Sequence, residues 1–336
     1  MRIFITGIAG FLGSHLADAM LRDGHTVGGV DSLIGGYEDN VPDGVQIWWK
    51  SDCNELSCLN GYFEHFEPEI VFHCAALAYE GLSVFSPHVV TQSIVGASTS
   101  VFSASITAGV RRIVHCSSMA RYGAGRPPFV ESDRPDPQDP YGIGKLCVEQ
   151  MLRNLCETHG VEFTIAVPHN IVGPRQKYDD PYRNVASIMI NRALQGKPII
   201  VYGDGSQQRC FSYVDDCISC LKKMAFDEGV VGEVINIGPD EQPVTILELA
   251  LLVRNITGMR VPIAYMPGRP QEVKIALCSS KKARRLLGYQ TKTSLEDGLT
   301  KMVDYVRARG VADFTYHLPL EIVNEKTPRT WKEHLF

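Results

Sequence analysis

Two residues four apart and a hydroxyl upstream carry the first chemical signal. Tyr141 and Lys145 stand in the run YGIGK, and Ser118 follows the apolar run 112–117. Residues at i and i+4 share one helix face, so the ammonium lies beneath the phenol and favours its ionised form. A free phenol titrates near ~10, and a neighbouring cation is what brings it into a range useful for proton transfer. YxxxK is common by chance and alone describes an ordinary amphipathic helix start. Ser118 adds weight because it ends a predicted strand, where parallel sheets gather their ligand chemistry.

A second signal opens the chain. In MRIFITGIAGFLGSH, an apolar strand (Arg2–Thr6) runs into Gly7, Gly10 and Gly13, and a helical pattern resumes through Leu12, Leu16, Ala19 and Met20. A backbone that passes close to a pyrophosphate cannot carry a Cβ, and the first turn of a helix offers unpaired N–H groups to an anion. Gly7 is read as the tight turn, Gly10 as the close approach and Gly13 as the helix-to-strand contact. The GxxGxxG spacing by itself also fits a purely structural turn. The context is stronger: a second apolar run, 26–30, ends in Asp31, where a carboxylate accepts from a ribose 2′-hydroxyl and repels a 2′-phosphate. The expected cofactor is NAD rather than NADP.

The elements that must position these groups alternate. Strands are predicted ending near Asp52 and at Ile70–His73 and 112–117. Helices are predicted over a stretch closing at Pro68, over 89–108, and from Tyr141 to about residue 157. The small residues Cys74, Ala75 and Ala76 after the fourth strand let backbone pass against a cofactor. Repeated βαβ order predicts an α/β fold, a doubly wound parallel (Rossmann) sheet. Beyond Gly173 the composition turns polar and loop-rich, which suits a smaller, mixed substrate-covering domain. The expected division is 1–172 for the cofactor domain, rejoined by 212–238, and 173–336 for the substrate domain. Residues 234–238 are read as a strand, 243–257 and 281–287 as helices, and 311–336 as an appended tail.

With 336 residues the chain can bury a full core and has room for two domains. A net charge of -5 argues against a nucleic-acid binder. No apolar run approaches the roughly 20 residues of a membrane span, so a cytosolic protein is expected. The 10 cysteines are scattered through apparent core segments and are read as reduced, buried thiols. Cys217 and Cys220 form a CxxC inside a helix-like run with no matching second pair, so two inward-packed thiols are expected and no metal site is assigned.

The stretches TGIAGFLGSH, HCAALA, SSMARYG, YGIGK, HNIVGPRQ, YGDGSQQRCFSYVDD and GRPQEV, with Asp31 and Asp52, occur in one order over residues 1–287. In them the chain resembles the extended short-chain dehydrogenase/reductases, specifically the NAD-dependent nucleotide-sugar epimerases and dehydratases. The resemblance implies that Ser118 hydrogen-bonds the reacting sugar oxygen, Tyr141 is the base, and Lys145 holds the nicotinamide ribose and lowers the tyrosine pKa. It implies an NAD site formed by Gly7, Gly10, Phe11, Leu12, Gly13, Asp31, Ser32, Asp52, Cys53, Ala75 and Ala76 together with Tyr141 and Lys145. Ser118, Met119, Asn170, Tyr178, Arg209 and Arg269 match positions that bind the nucleotide diphosphate-sugar; paired guanidiniums suit a pyrophosphate.

Departures from the family pattern narrow the reaction. Met119 and Ala120 stand where the 4,6-dehydratases carry Asp and Glu, and neither moves a proton, so elimination by that route is disfavoured. What remains is a 4-epimerase of UDP-glucose, UDP-N-acetylglucosamine or UDP-glucuronic acid; a 3,5-epimerase, a dehydratase using other acids, and a non-catalytic NAD-binding protein are the alternatives. Small Ala276, near a position that gates sugar size in relatives, hints at room for a substituent. Ser93 replaces a usual Asn, Cys210 a usual Asp, and His169 a usual aromatic; a core or substrate-shaping role is favoured for His169 over proton transfer. Relatives pair the helices matching 89–108 and 141–157 across a two-fold axis, so a homodimer through a four-helix bundle is expected.

Overall fold

The computed structural model describes residues 1–270 and 272–336; Gln271, within the GRPQEV run, lies outside the described residues. Six strands are β1 (Arg2–Thr6), β2 (Thr26–Asp31), β3 (Ile47–Lys50), β4 (Ile70–His73), β5 (Arg112–Cys116) and β6 (Glu162–Pro168). They and Val234–Ile237 form a 7-stranded sheet in the order Val234–Ile237, β6, β5, β4, β1, β2, β3, with every pairing parallel. The order reverses between β1 and β4. That switch leaves a crevice beyond the strand ends, where ligands of doubly wound sheets bind.

Alternation along β1 explains the layering. Ile3 and Ile5 face one side, against helices Phe11–Arg22, Val214–Phe226 and Lys281–Leu287; Phe4 faces the other, against Phe63, Phe66 and the layer that also holds Phe102 and Leu152. A third core gathers helices Val185–Leu194, Ile246–Thr257 and Leu295–Arg309 beneath the parallel pair Ile199–Tyr202 and Ile263–Met266. Short ladders bind this part together: Gln208–Arg209 lies between Val244–Thr245 and Ile275–Ala276.

Several expectations change here. The helix expected over 89–108 runs from Pro87 to Thr107, and by length and composition it is apolar enough to span a membrane, contrary to the sequence reading. It packs instead on helices Leu56–Phe66 and Pro140–His159, burying Val90, Ile94, Val101 and Phe102. The helix expected from 243 starts at Ile246, because Thr245 and Glu248 form a reciprocal capping box and Val244 pairs with Arg209. Cys58 is exposed; Cys217 and Cys220 pack inward as expected. Residues 311–336 are no mere appendage, since Thr327, Thr330 and Trp331 are buried.

Candidate active site

A cleft of about 540 Å³ opens at the C-terminal edge of the sheet, floored by the turn after β1 and walled by loops from the second half of the chain. Gly7 adopts φ 75°, and a Cβ there would lie 3.0 Å from Ala75 backbone; a Cβ on Gly13 would collide with the Gly7 carbonyl. Helix Phe11–Arg22 begins at Gly10 without a side-chain cap, so its first-turn N–H groups face the cleft without a side-chain acceptor. Asp31 accepts from Ala9 N (2.9 Å) and Leu33 N (2.7 Å), and burial raises its pKa against those two bonds. Each carboxylate oxygen keeps a lone pair for a ribose hydroxyl. The Thr6 hydroxyl accepts from Ala75 N at 3.2 Å, which pins the small-residue turn after β4. Leu12, Phe11, Ser32, Asp52, Cys53 and Ala76 line the same lobe. A capless helix start, a cradle closed to any Cβ and an acid at the end of β2 fit a dinucleotide.

Tyr141 lies in the first turn of helix Pro140–His159, and its position follows from a local stop. Asp139 caps the helix by accepting from Gly142 N (2.9 Å), with Pro140 at the first helical position. A Cβ on Gly142 would stand 2.7 Å from the Ala120 carbonyl, so glycine lets this turn press against the Ser118–Ala120 segment. The Ser118 hydroxyl accepts from Ala120 N (3.2 Å), leaving its own proton to donate into the cleft. The same helix braces that segment: Glu149 accepts from the Ser117 hydroxyl and pairs with buried Arg121 at 2.8 Å.

Electrostatics at this trio differ from the sequence reading. Burial pushes the Tyr141 phenol well above its ordinary range, the facing Ser118 hydroxyl pulls it down, and Glu80 and Asp139 push it up again. Lys145 does not reverse this. Its ammonium donates to the Cys116 carbonyl at 2.9 Å and lies 6.0 Å from the Tyr141 ring centroid, and burial brings the lysine itself down to about 8.

Across the cleft, Arg209 donates to the carbonyls of Gln208 and Val273, each at 2.8 Å, and Arg269 bonds Glu272 at 2.8 Å while stacking 4.7 Å from the Tyr202 ring centroid. Among the described residues the buried Arg269 Nε has no hydrogen-bond partner. Asn170, held at φ 44°, donates to the Cys210 carbonyl (2.9 Å) and touches Met119 Sδ at 3.8 Å. Tyr178 is a correction: it is buried in the third core, its hydroxyl donates to the Gly310 carbonyl at 2.6 Å, and it does not line the cleft. Ser93 lines the cleft and accepts from Leu77 N at 3.0 Å, clamping the turn after β4. Buried His169 bonds the Pro239 carbonyl through Nε2 (3.0 Å), and desolvation holds it neutral. Ala276 lies in the lining beside Val273.

Sequence reasoning missed Glu80, Arg183, Trp331 and Phe336, which also line the cleft. Trp331 reaches it because its indole N–H donates to the Pro181 carbonyl (3.1 Å), carrying the chain's end back over Gly81. A Trp among the polar residues 324–333 is the available signal.

A profile of the NAD dependent epimerase/dehydratase family matches residues 3–238. The chain is 31% identical over 316 residues to a UDP-glucose 4-epimerase of Mycolicibacterium smegmatis, covering 91% of this chain and 99% of that protein. The structure superposes with a TM-score of 0.85 on a UDP-glucose 4-epimerase of Thermotoga maritima with UDP-glucose, at 32% identity over 92% of this chain and 99% of the other. A UDP-glucuronic acid 4-epimerase of Bacillus cereus, in complex with UDP-glucuronic acid and NAD, gives 0.84 at 27% identity over 92% and 100%. With the glycine cradle, the acid after β2 and the Ser118, Tyr141 and Lys145 set on one cleft, these matches identify the chain as a member of the NAD-dependent epimerase/dehydratase family.

Proposed function

We propose that this protein is an NAD-dependent UDP-sugar 4-epimerase. The observation that carries the reading is that Ser118 and Tyr141 face one cleft with Arg209 and Arg269 across it, while Met119 and Ala120 supply no acid or base beside them. When bound, NAD would accept and return the C4 hydride, and its oxidised form would bring a positive charge into the cleft. Tyr141 removes and returns the proton of the sugar 4-hydroxyl, Ser118 donates to the same oxygen, and Lys145 holds the cofactor ribose and the phenol in register. Arg209, Arg269 and Asn170 grip the pyrophosphate, so the sugar swings on a fixed anchor between its two faces. Neutral, backbone-bound His169 suits a shaping role better than a second proton transfer. Residues 1–172 with 212–238 are assigned to the cofactor and the rest of 173–336 to the sugar nucleotide.

A cytoplasmic homodimer accompanies this reading. On helix Pro140–His159, Ile143 is 54% exposed and Cys147 and Met151 lie half-buried along the same face. Beside them, Val89 and Val95 of helix Pro87–Thr107 are half-open, an apolar strip suited to a two-fold four-helix bundle. Proton NMR of the protein with UDP-glucose, UDP-N-acetylglucosamine and UDP-glucuronic acid in separate tubes tests the function. Conversion of at least one to its C4 epimer without net NADH is expected; loss of water or CO₂, or no conversion of any, overturns it.

A further inference from the structure

The cleft holds one carboxylate that the mechanism leaves without a task. Glu80 begins the single turn Glu80–Ser83, and the chain around that turn is fixed on three sides. Tyr79, one residue earlier, is buried and donates to Asp180 at 2.5 Å. Ser83 bonds Asp139, the cap of the helix that carries Tyr141, at 3.4 Å. Gly81 presses on Arg269, whose guanidinium would lie 3.2 Å from a Cβ at that position. The turn is therefore wedged between the base and the anion grip. Glu80 is solvent-exposed within the cleft, and among the described residues its carboxylate has no hydrogen-bond partner; crowding by the cleft walls and Asp139 raise its pKa while Arg209 and Arg269 pull it down. Its field reaches both ends of the site: it holds the proton on Tyr141 and favours the charged forms of Arg209 and Arg269.

A hexose tethered by a pyrophosphate on Arg209 and Arg269, with its 4-hydroxyl at Tyr141, must lie across Glu80. An unpartnered carboxylate there can do two things. It accepts from hydroxyl or amide N–H donors of the ring, bonds strengthened by its charge. It also repels a second carboxylate brought into the same confined space. Building on the epimerase reading, we infer that Glu80 is the specificity residue of this site, selecting a neutral hexosyl nucleotide, with free hydroxyls or an acylamino group, against a hexuronosyl one.

The test compares kcat/KM for UDP-glucose, UDP-N-acetylglucosamine and UDP-glucuronic acid in the wild type and in Glu80→Gln and Glu80→Ser, with calorimetric binding of plain UDP as the control. In the wild type the better neutral sugar is expected to exceed the uronate by ~100-fold, the scale of two like charges in a partly desolvated site. Both variants should lose ~10-fold or more on the neutral sugar through KM, narrow the gap to the uronate, and bind UDP as before. Wild-type preference for UDP-glucuronic acid overturns the inference while leaving the epimerase reading intact. So do unchanged kcat/KM ratios in variants that still bind UDP, or a dehydrated product that disappears in Glu80→Gln, which would make Glu80 an acid or base. Variants that fail to fold leave the wild-type ratio to decide. Failure of every sugar to epimerise would instead remove the underlying reading.

Discussion

Replacing Lys145 with methionine should stabilise the NAD-free protein while disabling it. The ammonium is fully buried, with the Cys116 carbonyl its hydrogen-bond partner among the described residues, and its pKa falls from 10.5 to about 8. A lysine with a lowered folded pKa binds fewer protons folded than unfolded between those two values. Stability therefore rises with pH across the window, and the handicap is fully present below about pH 8. A shift of this size corresponds to about 3 kcal/mol at pH 7. Methionine keeps the straight chain and the volume but leaves the Cys116 carbonyl unpaired, which returns about 1 kcal/mol. The expected net gain is about 2 kcal/mol at pH 7, shrinking toward and past zero as pH approaches 10. Urea unfolding of both proteins, stripped of NAD, at pH 7, 8, 9 and 10 measures it. Groups that titrate alike in both chains cancel in the difference, and the Cys74 and Cys116 thiols, which face the ammonium, are the ones that do not. A variant less stable than wild type at pH 7, or a gap that ignores pH, would refute the claim that burial handicaps this lysine. Turnover should fall by ~100-fold or more, because nothing else on that helix face can hold the cofactor ribose against Tyr141.

Three other changes probe the remaining walls of the cleft. Tyr141→Phe should fold and keep NAD but lose at least ~100-fold in kcat, read by the same NMR assay; near wild-type turnover removes the phenol from the proton path. Arg269→Lys forfeits the stack on Tyr202 and the planar fork that matches a phosphate, so KM should rise ~10-fold with kcat little changed, and a fall in kcat at constant KM would deny it a ground-state grip. Trp331→Ala should cost ~3–5 kcal/mol in denaturant unfolding, and a loss below 1 would mean the C-terminal segment is not part of the packed fold.

The legible half of the site was the half built from contiguous residues. The Gly7–Gly13 turn lies at one strand-to-helix junction, Asp31 at a strand end and Tyr141–Lys145 on a single helix turn, so local spacing carries the geometry of each. Strand Ile70–His73 and helix Lys281–Leu287 were read to the residue for the same reason. Helix Leu295–Arg309, absent from the elements expected above, carries the same kind of local signal: Ser294 caps it by accepting from Asp297 N, an S-x-x-D start. Tyr178 was misplaced because its partner, the Gly310 carbonyl, lies 132 residues away, and no local pattern announces that contact.

The sign of the electrostatics at Tyr141 needed depth, which a one-dimensional pattern lacks. Helical spacing brings an ammonium near the phenol, and that alone predicts a lowered pKa. The same helix, however, is sunk between the sheet and the Glu80–Ser83 turn, so desolvation and Glu80 outweigh the lysine. The consequence is functional. In the open cleft Tyr141 keeps its proton at neutral pH, and removing that proton requires that the site first be filled: by the cofactor's positive charge and by sugar hydroxyls that engage Glu80. On the proposed roles of Tyr141 and Glu80, proton transfer is tied to the arrival of a complete substrate, and UDP alone, which leaves Glu80 unpaired, should do less than UDP-glucose to lower the Tyr141 pKa when the phenolate absorbance of the NAD-bound protein is followed by titration. Equal shifts with both ligands would uncouple Glu80 from the base.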